Sequence, residues 1–207
     1  MRNALWLLVG FLCVYAATVW SEEKGESKLS PMGFPYQQQW THEPSTVQFQ
    51  FTGESQRKLL FLRIYDVAHY IDAGALAASA DQILGQVLNR QLYIKYQHDI
   101  SASRLRSVLY DGFELNSTPA EWEQIQMKVD KLIAKINRDA NSGDEMIIRW
   151  LADDRVMFYL NGLLIAQTQH RVFGKVLWSI WLGPQSVVKR NELLASLQSG
   201  KSVGNGN

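Results

Sequence analysis

The amino-acid sequence predicts an α+β fold on three observations. Strand-like segments, two helical patterns, further strands and two further helices succeed one another, where a βαβ fold would alternate them. The stretch FYLNGLLIAQ, residues 158–167, sets Asn161-Gly162 between two apolar runs, and both residues tolerate the positive φ that a type I′ hairpin needs. The segment that follows, RVFGKVLWSIWLG, spaces its apolar residues for one helix face.

In chain order, residues 22–45 carry Pro31, Pro35, Pro44 and three successive glutamines, which break any period and read as an extended lead-in. From Thr46, the residues Val47, Phe49 and Phe51 alternate with Gln48, Gln50 and Thr52 as in a half-buried strand, and Gly53 is expected to turn the chain. Residues 57–71 then form a long strand candidate with Leu59, Phe61, Arg63, Tyr65, Val67 and His69 on one face and Leu60, Leu62, Ile64 and Asp66 on the other. Apolar residues on both faces place it centrally. An Ala-rich connection with room for a short helix leads to a strand in RQLYIKYQHDI. Ser101 and Ser103 are available caps for a helix carrying Leu105, Val108 and Leu109 on one side. Thr118 as N-cap and Pro119 at the first helical position open a second helix, 119–139, striped by Trp122, Ile125, Val129, Ile133 and Ile136. Asn141-Ser142-Gly143 ends it. The strands of DEMIIRWLAD and RVMFYLNG turn near Asp153-Asp154, helices are expected at 171–182 and 186–197, and the tail 198–207 reads as frayed.

A chain of 207 residues, 46% hydrophobic and 20% charged, suits one folded domain. With a net charge of +1 and no basic face interleaved with aromatics, nucleic acid is not expected as a partner. Met1-Arg2, the apolar run 4–20 and the polar SEEKGESK have the layout of a signal peptide (residues 1–21), with Val19 and Ser21 at positions −3 and −1 of a cleavage site. A retained single-span anchor is the alternative, although the run is at the lower edge of what crosses a ~30 Å hydrocarbon core. Membrane contact is thus expected only through the signal before cleavage. Cys13, the single cysteine, lies inside that run, so a cleaved chain has neither thiol nor disulfide, and losing Arg2 brings its net charge to +1 − 1 = 0.

The words GESQRKLLFLRIYDVAHYI (53–71), YIKYQHDISASRL (93–105), GDEMIIRW (143–150) and FYLNGLLIAQTQHRVFGKVLWSIWLGP (158–184), in that order, resemble the chalcone isomerase-like superfamily, in its exported bacterial branch. The resemblance spans roughly residues 45–197 and implies an open-faced β-sandwich, a large antiparallel sheet with helices layered on one face. In the plant enzymes of the superfamily a chalcone closes to a flavanone by addition of a phenolate to an enone; related members without that activity look like fatty-acid-binding proteins. Both share a cleft between sheet and helices with an arginine at the start of the long strand, the place that Arg57 takes here. A catalytic threonine of the enzymes is replaced by Tyr65 and a second by Ile180, and their tyrosine and asparagine find no counterpart among Tyr93, Tyr96, Tyr110 and Asn116. The donor set for chalcone cyclisation is therefore largely missing.

From residue chemistry, Arg57 is either a carboxylate or phenolate clamp, since a guanidinium forks onto two oxygens and keeps its charge, or an edge arginine paired with an acid such as Asp66. Tyr65 and Tyr70 either donate hydroxyls or pack. Trp178 and Trp181, three residues apart on one helix, are either a core stripe or a ligand wall. His42, His69, His98 and His170 fall on separate segments without ligand spacing, so no metal is expected; neither a G-x-S-x-G nucleophile nor a glycine-rich phosphate loop is present. The reading that follows is an exported, periplasmic, non-enzymatic domain that uses no cofactor. It holds a small apolar or amphipathic, fatty-acid-like carboxylate among Arg57, Tyr65, Trp178 and Trp181. Two alternatives stand beside it: an isomerase or intramolecular lyase using Arg57 and Tyr65 on an enone-like substrate, and an assembly protein whose 22–45 arm orders only on a partner. The oligomeric state is left open.

Overall fold

The computed structural model of the protein describes residues 28–42, 45–77 and 79–198. Seven strands, β1 (Gln37–His42), β2 (Ser45–Leu59), β3 (Leu62–Asp72), β4 (Arg90–Tyr96), β5 (Glu145–Trp150), β6 (Arg155–Leu160) and β7 (Leu163–Gln169), form one antiparallel sheet in chain order. The helices are α1 (Ala80–Gly85), α2 (Ala102–Leu115), α3 (Pro119–Ile133), α4 (Arg171–Leu182), α5 (Arg190–Leu193) and α6 (Ala195–Gln198). The main core lies between one face of the sheet and the helices, where Val67, Leu92, Ile148 and Val156 meet Phe113, Ile125, Phe173 and Leu177. A smaller cluster of Phe34, Phe49, Phe51, Ala68 and Tyr70 covers part of the opposite face. The sheet curls until its ends approach: the Arg149 guanidinium of β5 lies 4.9 Å from the Trp40 ring of β1, and Arg155 Nη1 is 3.3 Å from His42 Nε2.

The α+β prediction holds, as do most elements. Thr118 and Glu121 close a capping box at the start of α3, Ser101 caps α2, and Asn161 and Gly162 sit at φ 50° and 80° in the β6–β7 turn. Helix α3 ends at Ile133, short of the expected 139. The expected 186–197 helix is two four-residue pieces, α5 and α6.

Two corrections matter for function. Gly53 does not turn the chain: it sits inside β2 at a register shift, and β2 runs on to Leu59. The chain reverses at Leu60-Phe61, so the long strand expected over 57–71 is a hairpin of β2 and β3. Gly53 is required for a different reason, since a Cβ there would lie 2.1 Å from the Glu192 carbonyl oxygen of α5. The second correction concerns the lead-in. Its residues 28–36 pack on the sheet, with Phe34 fully buried and Glu54 accepting hydrogen bonds from Ser30 Oγ and the Met32 amide, and residues 37–42 are the edge strand β1. Glutamine-rich, β1 offers no apolar alternation; it pairs with β2 along its whole length, and Gln38 accepts a hydrogen bond from Gln91 Nε2 at 2.7 Å. The signal run, residues 22–27 and the tail 199–207 lie outside the described residues. Among the described residues no helix is long and apolar enough to cross a membrane.

Helix α4 approaches the sheet closely because Gly174 faces Trp150: a Cβ there would come within 2.5 Å of the indole. The other side of that indole carries the Arg90 guanidinium, 3.7 Å from the ring centroid, whose Nη2 donates to the Ile83 and Gln86 carbonyls at 2.6 Å. The indole cannot retreat. Gly174→Ala is therefore expected to cost roughly 1–3 kcal/mol through overpacking, measured as a shift of the urea midpoint with little change in m-value.

Candidate functional site

Arg57 and Tyr65 are cross-strand partners in the β2–β3 hairpin, so they share the face turned toward α4. Their even spacing suggested a common face along one strand; the actual cause is the hairpin, which brings them directly opposite. Trp181 Nε1 donates to Tyr65 Oη at 3.2 Å. Burial pushes the Tyr65 phenol up to about 12, against the opposing effects of Trp181 and of the Arg57 charge, so it is neutral at physiological pH. With the indole as donor, the phenolic oxygen is an acceptor and its own proton remains available. Among the described residues none accepts it.

Arg57 does not pair with Asp66. That carboxylate is buried on the other side of the strand pair, held by Arg63 and by Gln97 Nε2 at 2.8 Å. Instead Arg57 Nη1 donates to the Val187 carbonyl oxygen at 2.7 Å, in the segment that joins α4 to α5. Ser186 shapes this segment: its hydroxyl is 2.8 Å from Val188 O and also reaches Trp181 O. A single neutral carbonyl thus occupies one of the guanidinium's five donors.

Beside this segment runs an open groove of about 720 Å³ between β2 and the 186–196 stretch, walled by Met32, Phe51, Gln56, Lys58, Val187 and Lys189. The sequence reading missed it, because the groove is made by the irregular 186–189 backbone and by the packed lead-in, neither of which has a periodic signature.

One turn from Trp181, Trp178 is fully buried and donates from Nε1 to His69 Nε2 at 3.2 Å. Since an indole N–H can only donate, His69 Nε2 carries the lone pair and Nδ1 the proton, which goes to Thr52 Oγ1 at 2.7 Å. Thr52 in turn donates to Leu193 O at 2.7 Å. This chain of hydrogen bonds joins β2, β3, α4 and α5. The interface between β3 and α4 is therefore bridged by side chains in direct contact, and the groove lies apart from it, along β2. Tyr70 points to the other face and donates to Pro35 O at 2.8 Å. His42 lies beside Arg155, His98 is exposed, and His170 caps α4, accepting from the Phe173 amide. Among the described residues no three His, Cys, Asp or Glu side chains gather as a metal site.

A curled antiparallel sheet with one helical layer, and an arginine on its central hairpin facing that layer, defines the class of an open-faced α+β sandwich. Residues 32–195 match the family model described as chalcone isomerase-like, and the chain belongs to that family. Among 38 matching chains of solved structures is the crystal structure of a fatty-acid binding protein of Arabidopsis thaliana, with TM-score 0.60 and 11% identity over 84% of this chain and 100% of that one. At that identity the likeness is one of fold. A search of curated proteins finds no match.

Burial lowers the His69 pKa to about 3 from its ordinary 6.5, with the Arg90 charge acting in the same direction. The unfolded chain therefore takes up this proton first as pH falls. The contribution of neutral His69 to stability is intact above pH 6.5 and is lost toward pH 3, by up to ~tenfold in the folding constant per pH unit. Urea titrations across this range are expected to show that slope in the native protein and a flatter one in His69→Gln.

Proposed function

We propose that the protein is a non-enzymatic carrier of a fatty-acid-like carboxylate, with Arg57 as the head-group clamp and the groove between β2 and residues 186–196 as the place for the chain. The observation that carries this reading is the Arg57 contact with Val187 O: a guanidinium on the helix-facing side of the sheet, bound to a neutral carbonyl at the wall of the groove. A carboxylate in place of that carbonyl would make a charge-assisted, bidentate contact of about twice the strength. Exchange of partners would release the 186–188 segment and open the groove toward Tyr65, whose free proton is a second donor, and toward Trp181. Trp178, held to His69, belongs to the supporting layer until that segment moves. Val187, Val188, Phe51 and Met32 give the groove apolar surface, and each buried methylene of an acyl chain contributes ~0.8 kcal/mol. The fatty-acid binding protein that shares the fold lends further support.

Native mass spectrometry of the purified protein and titration with a fluorescent fatty acid test the proposal. Binding is expected, with Arg57→Ala weakening it ~10–100-fold, the loss of a charged hydrogen bond worth ~1.5–3 kcal/mol. Absence of binding, or an Arg57→Ala affinity equal to the native one, contradicts it.

The enzymatic alternative keeps one supporting observation, the juxtaposition of Arg57 and Tyr65, two donors that could polarise a common substrate oxygen. Enone-to-ring turnover that is lost in Tyr65→Phe would favour it over the carrier. The partner-arm alternative expects an arm ordered only in complex, whereas residues 28–42 already belong to the fold. Export with cleavage after Ser21 is part of the proposal. The purified protein from its host is then expected to begin at Glu22, and retention of residues 1–21 would instead indicate an anchor.

A further inference from the structure

The β2–β3 hairpin ends in four consecutive large apolar residues in water: Leu59 is 52%, Leu60 88%, Phe61 102% and Leu62 46% exposed. Leu60 has φ 55°, a left-handed conformation that is costly for a bulky residue and natural for asparagine or glycine. The same sheet shows the alternative. At the two-residue hairpin between β6 and β7, the chain places Asn161-Gly162 at φ 50° and 80°, residue types suited to that conformation. Folding alone therefore does not account for Leu60-Phe61, which combine backbone strain with exposed apolar surface.

The surroundings identify what the tip meets. From Arg57 to Tyr65 the chain has three cations, Arg57, Lys58 and Arg63, and no acid. Lys58 is exposed at the base of the apolar tip, and Arg63 is partly exposed while it holds Asp66. The tip is convex and one hairpin wide, so it suits a soft apolar medium better than a preformed pocket. An apolar wedge flanked by Lys58 and by the partly exposed Arg63 is complementary to the boundary between acyl chains and anionic head groups. We propose that residues 59–62 insert into the interface of an anionic lipid bilayer, with Lys58 and Arg63 at head-group level. Lys58 also lines the groove, so a docked hairpin would bring the groove to the membrane surface. The docking itself does not depend on whether the groove holds an acyl chain.

The test uses the protein as recovered from its expressing cell and vesicles of phosphatidylcholine, alone or mixed in equal parts with phosphatidylglycerol. The decisive variant is Leu60→Asn/Phe61→Gly, which puts at position 60 a residue that tolerates its positive φ and is expected to melt near the native temperature. Binding to the mixed vesicles is expected to fall at least ~10-fold in this variant and ~5–25-fold in Lys58→Glu, at about one kcal/mol per surface charge. A second measurement excludes contributions from residues 4–20: in Cys13→Ser/Phe61→Cys, an environment-sensitive fluorophore at position 61 is expected to shift to the blue on mixed vesicles only. Equal binding by the native protein and a folded Leu60→Asn/Phe61→Gly variant overturns the proposal, as does a fluorophore that ignores the lipid. Concentration-dependent dimerisation that the double variant abolishes, without lipid binding, overturns it in favour of a second copy of the chain.

Discussion

The arrangement rests on one constraint: two indoles of α4 reach down and donate hydrogen bonds to side chains of β3, Trp178 to His69 and Trp181 to Tyr65. Burying an indole N–H without an acceptor is costly, so these contacts fix the height and rotation of α4 on the sheet far more narrowly than apolar packing could. Gly174 allows the approach, and the His69–Thr52–Leu193 relay carries the same register on to α5. Because α4 is pinned, the 186–189 segment leaves it at a defined place above the hairpin, and Arg57 finds a carbonyl of that segment.

The same constraint closes the space between β3 and α4, where Trp181 Nε1 donates to Tyr65 Oη. An open groove lies instead along β2, beside residues 186–196. Arg57 does not itself line that groove; its Nη1 donates to the carbonyl of Val187, which does. The proposed carrier function turns on that contact, since a ligand carboxylate must compete with the Val187 carbonyl before it gains the clamp.

Much of the fold was legible in the sequence because its signals are local. Asn161-Gly162 imposes a hairpin, Thr118 with Pro119 starts a helix, and the apolar run marks α4, although the expected single face is exceeded, since Phe173, Gly174 and every residue from Val176 to Leu182 are buried. The β2–β3 turn was not legible because Leu60-Phe61 is apolar and imitates the interior of a strand, while Gly53 imitates a turn. Strand β1 was hidden by its glutamines, which give no apolar alternation, although Gln38 accepts a hydrogen bond from Gln91 Nε2 at 2.7 Å. At the site, Arg57 and Tyr65 were visible as residue types, and their convergence followed from pairing across the hairpin. The partners Val187 and Leu193 act through backbone carbonyls, whose positions depend on tertiary packing and leave no mark in residue identity. His69 was visible as a lone histidine among apolar neighbours, but its role required knowing that an indole donor stands opposite.

The central claim is that Arg57 exchanges the Val187 carbonyl for a ligand carboxylate. The most direct measurement is nuclear magnetic resonance of the Arg57 side-chain nitrogens and the Val187 carbonyl carbon during titration with laurate. The account predicts that both signals move together and saturate at the same laurate concentration, the carbonyl shifting as it loses a hydrogen bond. Laurate binding that leaves the Val187 carbonyl unchanged, or that perturbs neither residue, would contradict it.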